Sequence, residues 1–454
     1  MSLFKNQIIP LKILSLSSDG NGVGKYEGQA VFVPFSAPGD EILCKIVKVS
    51  NSYAFGIIDS FHAQSKNRIE PECELFGKCG GCLLRHISYE SELSEKQSFV
   101  ADAMLRLGGI DLPVANIIPS PEVERYRNKV QLPVYTDDCG VVHSGFFAGR
   151  SHRVIECNDC RLQPQIFTQI AAKVCELLTL YKISTYHEIK RVGLVRHIYM
   201  RHSVLHNTVM LCLVINGKKL PYQEEIVKAL TNAFSEISTI SLNINRECTN
   251  VILGNKNIVL YGDGTLQDEL CCVPVALNPL SFFQVNTHGA ERLYAVASLF
   301  ADVKSDDKLL DLYCGAGTIG LSMAHECKEL IGVEIVPEAI ESAIKSAEQM
   351  GLTNTRFICG DAGKAAVSLQ KEGIKPDVII VDPPRKGCDE QTISAITLMA
   401  PQRIVMVSCN VSTAARDCRS LVKQGYKVSA IQPVDMFPRT RHVECVVLMS
   451  RQKP

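Results

Sequence analysis

Apolar and polar positions change their rhythm twice along this chain. Up to about residue 60, short apolar runs (Gln7–Ile13, Gln29–Pro34, Asp40–Val49 and Ala54–Ile58) alternate with Gly- and Pro-bearing turns. That pattern predicts a small closed β-barrel of the OB-like kind. From 61 to 272 the pattern is mixed α+β. Its clearest element is a helix over 89–107, with Leu93, Val100, Met104 and Leu107 on one stripe. From 273 to 454, strand and helix alternate regularly. Lys308–Leu312, Glu329–Glu334, Thr355–Cys359, Asp377–Val381 and Arg403–Ser408 are apolar strand candidates. Between them lie helices such as Pro337–Met350, opened by proline and turning Ile340, Ala343, Ile344 and Ala347 inward. This predicts an α/β, Rossmann-like doubly wound sheet with its ligand at the carboxyl ends of the strands. The expected domains are therefore 1–60, 61–272 and 273–454, with the helix at 89–107 able to return to the last of them.

Composition supports a folded chain. Its 454 residues are 46% apolar and 21% charged, enough for several cores. No run reaches the roughly 20 apolar residues of a membrane span, and the first residues lack the apolar core of a secretory signal. We therefore expect a cytoplasmic protein with no membrane partner. Charge balances at 48 basic and 48 acidic residues, so any affinity for nucleic acid must be local. Two basic regions stand out: Lys190, Arg191, Arg196 and Arg201, and Arg125, Arg127, Lys129, Arg150 and Arg153. They can neutralise phosphates or form a solvated sheet face. Nineteen cysteines in a reducing compartment argue for metal ligation, catalysis or burial. Cys175, Cys212, Cys327 and Cys445 sit among apolar neighbours and are expected to be inert.

Four segments carry candidate chemistry. Val407-Ser408-Cys409-Asn410 ends an apolar run, and His442-Val443-Glu444 follows later. A thiol at the mouth of a strand can add to an electron-poor carbon, and a carboxylate on a neighbouring strand can take a proton from the adduct. Asp311-Leu-Tyr-Cys-Gly-Ala-Gly-Thr is a glycine turn between strand and helix. The next strand ends at Glu334, about twenty residues on, where a carboxylate can accept ribose hydroxyls. Gly360-Asp361 after the third strand is placed to meet an adenine. This spacing favours S-adenosylmethionine over a dinucleotide, because the full phosphate cradle is missing. Asp382-Pro383-Pro384-Arg385 is a rigid loop where donor and substrate would meet. Cys73, Cys79 and Cys82 are three close thiols, with Cys160 or Cys157 available as a fourth; four thiolates suit either zinc or an iron-sulfur cluster.

These segments, with Phe282-Phe283-Gln284-Val285-Asn286 and Asp435-Met-Phe-Pro438, resemble the RNA 5-methyluridine methyltransferase family, specifically its iron-sulfur-containing 23S rRNA branch. The likeness covers essentially the whole chain, and the first sixty residues resemble the TRAM domain, an RNA-binding barrel. It implies that Gln284, Tyr313, Glu334, Asp382 and Asp361 line an S-adenosylmethionine pocket. It further implies Cys409 as nucleophile, Glu444 as proton acceptor, and Cys73, Cys79, Cys82 and Cys160 as ligands of a [4Fe-4S] cluster. Val411 departs from the proline common after Ser-Cys-Asn. The chemistry has its own logic: C5 of uracil is a weak nucleophile until a thiolate adds at C6. The expected partner is RNA, most of all 23S rRNA, with no obligate protein partner evident. The rival expectations are the same chemistry on tRNA or on two rRNA positions, and a non-catalytic RNA-binding or assembly protein.

Overall fold

The computed structural model describes residues 3–149 and 151–452; Arg150 of the second basic region lies outside them. Strands β1 (Ile8–Leu16), β2 (Gly22–Tyr26), β3 (Gln29–Val33), β4 (Glu41–Val49) and β5 (Tyr53–Ala63) close a barrel in the order β1-β2-β3-β5-β4. Alternation puts Ile9, Leu11, Ile13, Val31, Val33, Ile42 and Ile46 inside. The Asp19-Gly-Asn-Gly segment reads as a turn in sequence, yet its last residue, Gly22, already opens strand β2. A Cβ at Gly24 would lie 2.6 Å from the Lys12 carbonyl oxygen, so only glycine lets β1 and β2 approach this closely.

Helix α1 (Tyr89–Ala103) runs into a single π-helical turn, Met104–Gly108. The expected apolar stripe is corrected here: the buried positions are Glu92, Lys96, Val100 and Met104, while Leu107 is exposed. Val100 and Met104 join a core with Ala414, Ala415 and Cys418.

The middle of the chain forms a seven-stranded sheet in the order β12-β11-β10-β9-β6-β7-β8. Its strands are β6 (Lys129–Thr136), β7 (Val142–Phe147), β8 (Val154–Glu156), β9 (Val195–Ser203), β10 (Thr208–Ile215), β11 (Ile237–Ile244) and β12 (Lys256–Tyr261). Helices α2 (Gln165–Leu180) and α3 (Gln223–Ala233) cover one face. On the other, Tyr199, Met210, Cys212 and Val214 share a core with the hairpin β13 (Leu266–Leu270) and β14 (Val273–Leu277). Because β9 is covered on both faces, Arg196, His197 and Arg201 are buried rather than spread along a solvated stripe. Arg196 donates to the carbonyls of Asn245 and Glu247 at 3.3 and 2.9 Å.

The last unit is α4 (Thr287–Ala301), β15 (Lys308–Leu312), α5 (Thr318–Ser322), β16 (Glu329–Glu334), α6 (Pro337–Gln349), β17 (Thr355–Cys359), α7 (Ala362–Lys371), β18 (Val378–Val381), α8 (Glu390–Met399), β19 (Arg403–Ser408), α9 (Val411–Val422), β20 (Tyr426–Val434) and β21 (Glu444–Arg451). The sheet runs β17-β16-β15-β18-β19-β21-β20, with β21 antiparallel to both neighbours. Strands β15, β16, β18 and β19 are almost wholly buried, since helices pack on both faces. On α6, Ile340, Ala343 and Ala347 point inward, but Ile344 is 41% exposed and Ser346 takes the inner place. Cys175, Cys212, Cys327 and Cys445 are buried. No helix among the described residues is long and apolar enough to cross a membrane.

Candidate active site

Strand reversal brings the two ends of the thiol–carboxylate pair together. Strand β19 ends at Ser408, which pairs with Cys445 on β21, so Cys409 and Glu444 leave adjacent strands at the same edge of the sheet. Both line one cavity of about 1260 Å³, and so do Gln284, Tyr313, Glu334, Asp361 and Asp382. Glu444 is 5% exposed, and burial, reinforced by Asp382, pushes its carboxyl up to about 8. Burial likewise raises the Cys409 thiol, with Glu444 and Asp382 adding to the shift, while a charge-assisted hydrogen bond from Arg385 opposes it.

Three loops hold this geometry. Asn410 caps α9 by accepting from Ser412 N at 3.2 Å, and its Nδ2 donates to the Arg385 carbonyl at 2.9 Å. Arg416 donates to the Lys386 carbonyl at 2.8 Å, and Cys388 N donates to Asp417 at 2.7 Å. The Asp382–Arg385 loop is thereby fastened to the start of the helix that follows Cys409. Val411 is the first residue of that helix, a position where proline fits equally well, so its departure touches a helix start and not the thiol. The segment Asp435–Pro438, leading to Glu444, is fixed from the opposite side. Lys96 Nζ, fully buried, donates to Glu92 and Asp435 at 2.7 Å each and to the Phe437 carbonyl at 3.1 Å. Tyr89 donates to the other Asp435 oxygen at 2.8 Å, and Asn286 Nδ2 donates to the Met436 carbonyl at 3.0 Å.

The glycine turn builds the other half. Tyr313 has a left-handed backbone (φ 65°), as have Gly315 and Gly317. Glu334 accepts from Gly315 N at 3.1 Å and from Val336 N at 2.9 Å, which orients its carboxylate at the cavity wall. Asp361 caps α7, accepting from Lys364 N at 3.1 Å, so its side chain has a structural duty as well as a place in the lining. Asp311 accepts from Gly320 N at 3.0 Å with one oxygen; the other is buried with no partner, and burial pushes the group up to about 8. Burial takes Asp382 up to about 7. Asp382 lines the cavity and is costly to ionise alone, which fits a cationic ligand beside it, while Asp311 lies buried behind the wall.

At the far end of the same cavity stand Cys73, Cys79, Cys82, Cys157 and Cys160. The thiols of Cys73, Cys82 and Cys160 all act on Cys79, which burial raises to about 11. Cys157 hydrogen-bonds Cys160, and Arg85 hydrogen-bonds Cys82. Among the described residues no three His, Cys, Asp or Glu side chains are grouped closely enough to hold one metal ion.

Comparison with known proteins gives the family of the chain. Residues 88–452 match the family described as tRNA (uracil-5-)-methyltransferase, and residues 3–58 match the TRAM domain. An RNA methyltransferase of Clostridium tetani is 42% identical over 98% of this chain and 97% of its own. The chain belongs to the RNA (uracil-5-)-methyltransferase family. Another such relative, from Oceanobacillus iheyensis, is 41% identical over 97% of this chain and 96% of its own. Among solved structures, the Pyrococcus abyssi tRNA (uracil-54, C5)-methyltransferase in complex with S-adenosyl-L-homocysteine superposes with a TM-score of 0.78. It is 27% identical, covering 97% of this chain and all of that one.

In this uracil-5-methyltransferase the residues expected to serve in catalysis, cofactor binding and the cluster all line one cavity. The structure also adds residues that sequence reasoning passed over. Arg385 was visible only as the end of a stiff loop, and Asp311 only as the start of a glycine motif. Glu92 and Lys96 stand four apart, which on a helix ordinarily marks a solvated face; nothing local reveals that Asp435 comes to meet them.

Proposed function

We propose that this enzyme methylates C5 of a uridine in RNA, drawing the methyl group from S-adenosylmethionine, with Cys409 as nucleophile and Glu444 as base. The observation that carries this reading is the adjacency of a thiol and a buried carboxylate at one strand edge, in the cavity that the glycine turn also lines. S-adenosylmethionine would supply a methyl group on a cationic sulfur, which suits the carboxylates of Glu334 and Asp382 in the cavity wall. Cys409 Sγ, as thiolate, adds to C6 of the uracil, and the ring's electrons collect at C5 and O4. After C5 is methylated, Glu444 takes its proton, the C5–C6 double bond re-forms and the thiolate departs. Arg385 favours the thiolate on both entry and exit. An uracil can reach this recess only when its nucleotide is flipped out of the RNA.

The RNA we favour is 23S rRNA, on the strength of the cysteine set. Four thiols at one end of the cavity suit either zinc or a [4Fe-4S] cluster by their chemistry, and the resemblance to the iron-sulfur branch of the family is what favours the cluster. Cys73, Cys79, Cys82 and Cys160 would hold it, with Cys157 as the rival fourth ligand and a structural role for the group. tRNA is the second reading, favoured by the likeness to the P. abyssi enzyme. Either substrate places the enzyme in the cytoplasm. Mass mapping of rRNA and tRNA from cells with and without the protein separates them: one uridine in large-subunit rRNA should lose its methyl group. Loss in tRNA alone would replace the first reading by the second, and no loss anywhere would leave a binding protein.

A further inference from the structure

Between the thiol–carboxylate edge and the cysteine end, the cavity wall carries positive charge with nothing to balance it. Lys129 opens β6, Arg127 lies two residues earlier in a bridge to Asn286, and both line the cavity. Among the described residues neither side chain has a hydrogen-bond or ion-pair partner. Directly across the ladder from Lys129 is Arg201. Its guanidinium is buried against the Tyr199 hydroxyl and the Ser281 carbonyl, neutral groups that leave its charge uncancelled. The charged groups acting on Lys129 are Arg201 and Arg127, both repulsive, and with burial they take its ammonium down to about 8. Arg127 also acts on His442, two residues from Glu444. The ledge therefore borders the place where the reacting base would lie.

A cation held in a recess without a counter-charge is costly, and the cost is tolerated where an anionic ligand arrives to cancel it. A flipped nucleotide brings such an anion with it, since its base cannot enter the recess without drawing its own backbone to the mouth. We propose that Arg127 and Lys129, backed by Arg201, bind a phosphodiester of the RNA strand next to the uridine presented to Cys409. Arg127 offers a planar fork of donors to the phosphate oxygens and Lys129 a point charge. Arg201 stays within the wall and sets the local potential. The proposal rests on the reading that RNA fills this cavity. It adds that the ledge sets affinity and positioning without taking part in the chemistry.

The test is equilibrium binding of unmodified large-subunit rRNA fragments, transcribed in vitro, to the full-length protein over a range of salt concentrations. Lys129→Gln and Arg127→Gln should each weaken binding by about tenfold and make the slope of log affinity against log salt shallower by about 0.7, the share of one phosphate on a single strand. Lys129→Arg should restore most of the affinity, and Lys190→Gln, on an exposed loop, should match the wild type. Single-turnover rate at saturating RNA, measured on the same variants, separates loss of binding from loss of chemistry. Unchanged affinity and slope in both variants, with thermal melting intact, would overturn the proposal, as would a slowed saturated rate with unchanged affinity. Binding is read without turnover, so a protein that binds RNA through the ledge but methylates nothing would overturn the function and leave the ledge standing. A wild-type protein that bound no RNA would overturn both.

Discussion

At the scale of single residues, the site is governed by groups held away from their ordinary titration. In the proposed chemistry Glu444 acts as a carboxylate and Cys409 as a thiolate, yet burial opposes charge on both. The rate of methyl transfer should therefore rise with pH between about 6 and 9 rather than peak near neutrality, and a pH profile of kcat/KM checks this. Removing Arg385 withdraws the cation that favours the thiolate. In Arg385→Gln, alkylation of Cys409 by iodoacetamide should need higher pH than in the wild type, a shift read by mass spectrometry of the Cys409 peptide. The same raised carboxyls govern stability. Asp311, Asp382 and Glu444 bind protons more tightly folded than unfolded, so their contribution is full below the usual carboxylate range and is lost as pH climbs through about 7 to 8. Asp311→Asn should thus gain stability over wild type at pH 8, on the order of a few kcal/mol, with the gain vanishing by about pH 4. Thermal melting at both pH values measures it.

At the scale of elements, the active edge depends on a helix from another part of the chain. Lys96 reaches from α1 to Asp435, and the pair with Glu92 is fully buried. Lys96→Ala would leave two carboxylates buried without their cation, a loss of about 3–5 kcal/mol. Denaturant unfolding should show that loss, and hydrogen exchange should show faster opening of residues 435–443. This network also marks where sequence reading stops. Regular elements such as β15, β16 and α6 were legible because the helix buries a periodic face and the parallel strands read as continuous apolar runs. The buried face of α1 was not, because its Glu and Lys are matched by partners hundreds of residues away, and a helical pattern reports only its own period. Strand β2 was missed for the opposite reason: its glycines are required by close strand approach but look like turn residues.

At the scale of the whole molecule, three units converge on one cavity: the last sheet supplies the thiol, the base and the carboxylate wall, the middle sheet supplies Arg127 and Lys129, and the segment before α1 supplies three cysteines. The candidate residues were legible from short motifs, since each chemistry needs a particular residue type at a strand end, and so was the expectation that thiol and carboxylate leave neighbouring strands. The strand order that achieves it, with β21 inserted antiparallel between β19 and β20, was not. The cysteine end predicts about four iron atoms per chain after anaerobic purification, with the count falling in Cys79→Ala; colourless protein with stoichiometric zinc would refute it. The central claim is a transient bond between Cys409 and a pyrimidine, and one measurement reaches it directly. RNA carrying 5-fluorouridine offers Glu444 a fluorine where it needs a proton, so the adduct formed after methyl transfer cannot resolve. Incubated with S-adenosylmethionine, the protein should migrate as an RNA conjugate on a denaturing gel, and after digestion the peptide containing Cys409 should carry a methylated fluorouridine nucleotide. Methylation of ordinary RNA by a Cys409→Ala variant, with no conjugate from the wild type, would contradict the account.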